Sequence, residues 1–79
     1  MSHAHNDISH ANTWPDWHEW PALIRQLRHT LAEDVETFGA RFARGGRAVE
    51  NWEQGRRVPD RLVQDGLVRL RDDIQRRSE

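Results

Sequence analysis

Cysteine is absent from the chain, which excludes disulfides and thiolate zinc sites and leaves only histidine and carboxylate for any metal. Lysine is absent as well, so every one of the twelve basic residues is arginine. Long apolar runs are also missing. The longest, Trp20-Pro21-Ala22-Leu23-Ile24, falls far short of the ~20 residues that a membrane helix needs. The N-terminus lacks the basic-then-apolar order of a signal peptide, and a soluble, cytoplasmic protein is the expectation. No repeat occurs, and no alternating segment is long enough to make a strand. No nucleophile and base stand at a recognisable catalytic spacing, and no glycine-rich phosphate loop follows a strand. Neither an enzyme activity nor a cofactor is expected.

What remains is 79 residues, 32% of them charged and 35% hydrophobic, enough for one small helical domain with an apolar face on each helix. A net charge of −1 hides an asymmetry. Residues 1–40 carry two arginines against six acids, a balance of −4, whereas residues 41–79 carry ten against seven, a balance of +3. Attraction to phosphate depends on the local face and not on the sum. Arginine's planar fork also suits bidentate contact with phosphate or guanine.

The pattern along the chain predicts an all-α fold, a small helical bundle. Residues 1–12 are polar and without period, a flexible tail ahead of a domain over 13–79. Thr13 or Trp14 is placed to cap a short helix with Pro15 in its first turn, and Pro21 to open the next. Leu23, Ile24, Leu27 and Leu31 keep helical spacing. Asp34 is a good N-cap for a second helix bearing Phe38 and Phe42 on one side. Gly45-Gly46 punctuates the chain. A third helix over about 45–54 turns Ala48, Val49 and Trp52 inward, and Gly55 stops it. Gly55 to Pro59 reads as a loop. Asp60 is placed to cap a last helix striped with Val63, Leu67, Leu70 and Ile74.

Two short helices joined by a tight glycine-containing turn form a helix-turn-helix unit. With Ile24-Arg25, Leu27-Arg28, Leu31, Phe38, Phe42, Val49 and Asn51-Trp52-Glu53-Gln54-Gly55-Arg56-Arg57 before Pro59, the chain resembles the lambda-repressor/Cro-like group over roughly residues 23–60. The resemblance implies a second helix lying across the phosphate backbone and a third in the major groove of double-stranded DNA. Groove-facing positions would be Gly46, Arg47, Glu50 and Asn51, with Arg47 the candidate for guanine, Asn51 for adenine, and Glu50 for cytosine or, as the simpler role, for orienting Arg47 or facing solvent. Arg44, Gln54, Arg56 and Arg57 would complete the DNA contacts, the last three by holding phosphates. Arg28 and Glu53 would form a partly buried ion pair that orients the third helix.

Several positions depart from the pattern. Val35 stands where a polar phosphate contact is usual, and Gly39 where alanine is common. Ala43-Arg44-Gly45 replaces the usual glycine, apolar residue and serine of the turn. A left-handed alanine costs on the order of 1 kcal/mol, so Gly45 or Gly46 is expected to take that conformation. His3, His5 and His10 could gather on a metal, but a tail without supporting hydrogen bonds makes a poor site. His29, Asp72 and Asp73 read as solvated. Trp14, Trp17 and Trp20 recur at every third residue, either packing on the domain as an N-terminal cap or forming a protein interface. The function expected is that of a transcriptional regulator, an autorepressor of phage, plasmid or small-operon type that binds an inverted repeat as a homodimer. The alternative is an antitoxin or adaptor whose main task is to bind a protein partner.

Overall fold

A computed structural model describes residues 14–77. The expected tail, Thr13 and the His3, His5 and His10 group lie outside the described residues. Four α-helices follow one another, α1 (Trp20–Thr30), α2 (Val35–Ala40), α3 (Gly46–Glu53) and α4 (Arg61–Arg77), and no strand occurs among the described residues. None of these helices is long and apolar enough to cross a membrane.

Local chemistry sets most helix starts. Pro21 sits in the first turn of α1, where its missing N–H costs nothing. Asp34 caps α2, its carboxylate accepting from the Thr37 N–H at 2.8 Å. That backbone hydrogen bond, foremost, holds the Asp34 carboxyl below its ordinary range. Gly45 is the N-cap of α3 in extended conformation. Asp60 precedes α4, where its carbonyl accepts from the Gln64 N–H at 2.9 Å and its carboxylate reaches Arg44 at 2.9 Å.

Helices α1, α2 and α3 end alike. The N–H groups of Glu33, Arg44 and Arg56 return to the carbonyls of Arg28, Gly39 and Asn51 at 3.1, 3.0 and 2.9 Å. Those of Ala32, Ala43 and Gly55 return to His29, Ala40 and Trp52 at 3.0, 3.2 and 3.2 Å. These are Schellman closures, and each puts its penultimate residue in the left-handed region. Glycine fills that position once, at Gly55 with φ 76°, whereas Ala32 and Ala43 take φ 56° and 59°. Neither Gly45 nor Gly46 takes over the conformation as expected. Ala43 keeps it, and the carbonyls satisfied by the closure offset a cost of about 1 kcal/mol.

Helix α2 packs on α3, while α1 packs against both α3 and α4. Their inner faces bury Trp20, Ile24, Leu27, Phe38, Val49, Trp52, Val63 and Leu67, with Leu70 and Ile74 partly covered at the edge. Among the described residues the expected short helix before α1 does not form. Residues 14–16 have no regular structure and 17–19 form a turn. In that turn the Glu19 N–H donates to the Asp16 carbonyl at 2.9 Å. The three tryptophans therefore part company, because a turn does not carry a helical face. Trp20 is a core residue, and Trp14 stands edge-on to it at 6.5 Å between rings. The Trp14 indole donates to Gln64 Oε1 at 2.7 Å, and Arg61 lies 4.4 Å over its ring. Trp17 stays 74% exposed.

Candidate nucleic-acid interface

Helix α3 turns Val49 and Trp52 into the core, and the 3.6-residue period then sends Arg47, Glu50 and Gln54 outward. Asn51 lies at the margin of that face, half-buried. Beyond Gly55 the chain doubles back, and the N–H groups of Arg56 and Arg57 both donate to the Asn51 carbonyl, at 2.9 and 3.4 Å. This fixes the two exposed loop arginines against the end of α3. Among the described residues Arg47, Arg56 and Arg57 enter no ion pair. Their charges are free to meet an anion.

Two of the expected contact residues are used differently. Gly46 is buried against α2, where a Cβ would collide with the side chains of Glu36 and Val35. It presents nothing to a groove. Arg44 pairs with Asp60 at 2.9 Å and donates to the carbonyls of Phe42 and Ala43 at 3.2 and 3.3 Å. It ties the turn between α2 and α3 to the start of α4.

Arg28 and Glu53 meet in a two-pronged pair, Nε to Oε2 at 2.6 Å and Nη2 to Oε1 at 3.0 Å. Their side chains are 19% and 10% exposed. Arg28 Nη1 also donates to the Glu33 carbonyl at 3.2 Å, so one guanidinium joins α1, the following loop and α3. The hydrogen bonds it donates to the Glu53 carboxylate outweigh desolvation and hold the Arg28 guanidinium more firmly protonated than usual. Glu53→Gln should lower unfolding free energy by about 2–3 kcal/mol, less than the ~3–5 of a fully buried pair. Denaturant melts of the double variant Arg28→Met with Glu53→Leu should show partial recovery. Recovery stays incomplete because the Glu33 carbonyl then loses its donor. A Glu53→Gln variant as stable as the parent would show that the pair does not hold α3.

Three further contacts had no counterpart in the sequence reading. Arg25 Nη1 donates to the Glu53 carbonyl at 2.7 Å, placing a cation at the negative end of α3. Its position three residues before Arg28, on the same side of α1, was the available signal. Arg41 grips Glu33 through two bonds of 2.6 and 2.9 Å, and these hold the Glu33 carboxyl below its ordinary range. Glu36 accepts from the Gly46 N–H at 3.3 Å, so a carboxylate already sits at the positive end of α3. Glu36 and Glu50 make this face mixed in charge, with its positive end at Arg56 and Arg57. Asp16, His18 and Glu19, just ahead of α1, bring possible metal ligands within 4.8 Å of one another, all exposed. Glu19 Oε1 in that group already accepts from the Asp16 N–H at 2.8 Å. No family model, curated protein or solved structure matches this chain.

Proposed function

We propose that the protein is a sequence-specific DNA-binding regulator of the lambda-repressor/Cro-like type, with α2 and α3 as its helix-turn-helix. The supporting observation is the contrast between the two sides of α3. One side is locked by Val49, Trp52 and the Arg28–Glu53 pair, while the other offers Arg47, Glu50, Asn51 and Gln54 beside two unpaired loop arginines. A rigid helix with polar side chains on its free face suits reading of base edges in a major groove about 12 Å wide. In this reading Arg47 pairs with guanine and Asn51 with adenine. Arg56 and Arg57 hold phosphates and set the register. A module this small buries only ~600–1,000 Å² on DNA, so two copies on an inverted repeat supply the affinity one lacks. Such a protein would act as an autorepressor.

Footprinting on the DNA upstream of its own gene is the direct test, with two variants as readouts. Arg47→Ala should cost ~1–3 kcal/mol on the cognate site and relax preference at one base pair. Arg56→Ala should weaken matched and scrambled sites alike. Indistinguishable behaviour of the two would displace α3 from the groove. One observation favours a second reading, an antitoxin or adaptor: Trp17 is 74% exposed, and indoles anchor protein interfaces. Stoichiometric co-purification of a partner from native cells, with weak DNA binding by the chain alone, would select it.

A further inference from the structure

Along α4, Asp65, Arg69, Asp72 and Arg76 recur at steps of four, three and four residues, which aligns them in one stripe on the helix. The stripe lies away from Val63 and Leu67, which face the core. Arg69, Asp72 and Arg76 line an open groove of about 600 Å³ with Phe42, Gly66 and Leu70, and Asp65 lines the adjoining hollow that shares Phe42, Gly66 and Arg69. Gly66 is what admits the Phe42 ring, since a Cβ there would stand 2.8 Å from it. The charges of the stripe alternate in sign. An acid four residues ahead of a base is the favoured orientation for pairing within a helix. Yet among the described residues Asp65, Arg69 and Arg76 enter no ion pair, and Asp72 is held only by its neighbour Arg71 at 3.1 Å.

We propose that this stripe receives a second copy of the chain, whose own α4 runs antiparallel along the groove. With the two-fold axis opposite the bond between residues 70 and 71, Asp65 faces the second copy's Arg76, and Arg69 faces its Asp72. The axis repeats both contacts, so one stripe makes four ion pairs with itself. A parallel arrangement in register would set like charges together, and the sequence of signs therefore selects the antiparallel one. The proposal rests on the two-copy reading above, but it uses none of the side chains on the free face of α3. Exposed pairs contribute little each. The dimer is accordingly weak alone, sensitive to salt, and completed on DNA.

Sedimentation equilibrium of the full chain without DNA, at low salt, tests the register. R76D sets Asp65 against an acid and should weaken self-association about tenfold or more. Adding D65R should bring it back to within about threefold of the parent if the two positions face each other across copies. The same double change places like charges four apart within each helix, beside Arg69 and beside Asp72. Pairing within the helix therefore predicts a further loss where the proposal predicts rescue. A double variant as weak as R76D overturns the proposal, as does a parent that stays monomeric both alone and on an inverted-repeat duplex, including when a different protein occupies the groove. Affinity for a single half-site duplex keeps the two readings apart. R76D should match the parent there, and a parent that binds no half-site would remove the DNA reading while the charge-swap result stands by itself.

Discussion

Affinity for the operator is expected to fall roughly 10²–10³-fold between about 50 and about 200 mM monovalent salt. The magnitude follows from the unpaired arginines. Each phosphate neutralised releases condensed counterions and contributes a slope near −0.9 to the dependence of log affinity on log salt. Among the described residues Arg56, Arg57 and Arg47 meet no carboxylate, so two or three charges per copy, and about four to six per dimer, are available to phosphates. Arg44 and Arg41 are not counted, because Asp60 and Glu33 hold them. Arg56→Ala should shallow the slope by about 2 on a dimer site, one phosphate being lost from each copy. Fluorescence anisotropy titrations across the salt range give both quantities. A flat profile would remove phosphate contact from the proposed function, whatever the protein binds instead.

Gly39→Val is expected to unfold most of the population at 25 °C, and Gly39→Ala to cost about 1–3 kcal/mol. A Cβ at Gly39 would stand 2.6 Å from the Arg44 carbonyl oxygen, 3.0 Å from that of Gly45 and 3.1 Å from the Val49 side chain. Two of these neighbours are backbone atoms of the turn between α2 and α3. That turn is already tied to Gly39 by the Arg44 N–H, so it cannot withdraw without breaking the closure of α2. Alanine's better helix propensity returns at most ~1 kcal/mol, too little to offset the overlap. A domain of this size has about 3–5 kcal/mol to lose, and valine's two further methyls would exceed what alanine takes. Urea melts followed by helical circular dichroism measure both variants. An alanine variant as stable as the parent would mean that the turn does not lie against Gly39.

Where a signal acts within one helical turn, it was legible in advance. Asp34 as a cap, Pro21 in a first turn and Gly55 as a stop each depend on atoms three or four residues away. The spacing of Phe38, Val49, Trp52, Val63 and Leu67 is likewise enough to name inward faces, since these positions keep the helical period. The outward set Arg47, Glu50 and Gln54 is the complement of the same pattern. Of the ion pairs observed, Arg28 with Glu53 is the one the resemblance implies, and nothing in the spacing of two residues 25 apart requires contact; the alternative in which Glu50 orients Arg47 does not form among the described residues.

The sequence by itself determined an all-α chain with its helices and their apolar faces, because backbone propensity and hydrophobic periodicity are local properties. Only the tertiary structure decided which arginines are occupied. Arg44 and Arg47 differ little as residues, but packing brings Asp60 to within 2.9 Å of Arg44, whereas no carboxylate among the described residues pairs with Arg47. The tertiary structure also decided that Ala43 takes the left-handed conformation beside two glycines. Gly45 is needed in extended form to cap α3, and Gly46 to let Glu36 and Val35 close over it. The tryptophans were divided in the same way. Three tryptophans at one repeated spacing gave one core residue, one ring clamped to α4 and one indole in solvent, because contact between residues far apart in the chain sets burial.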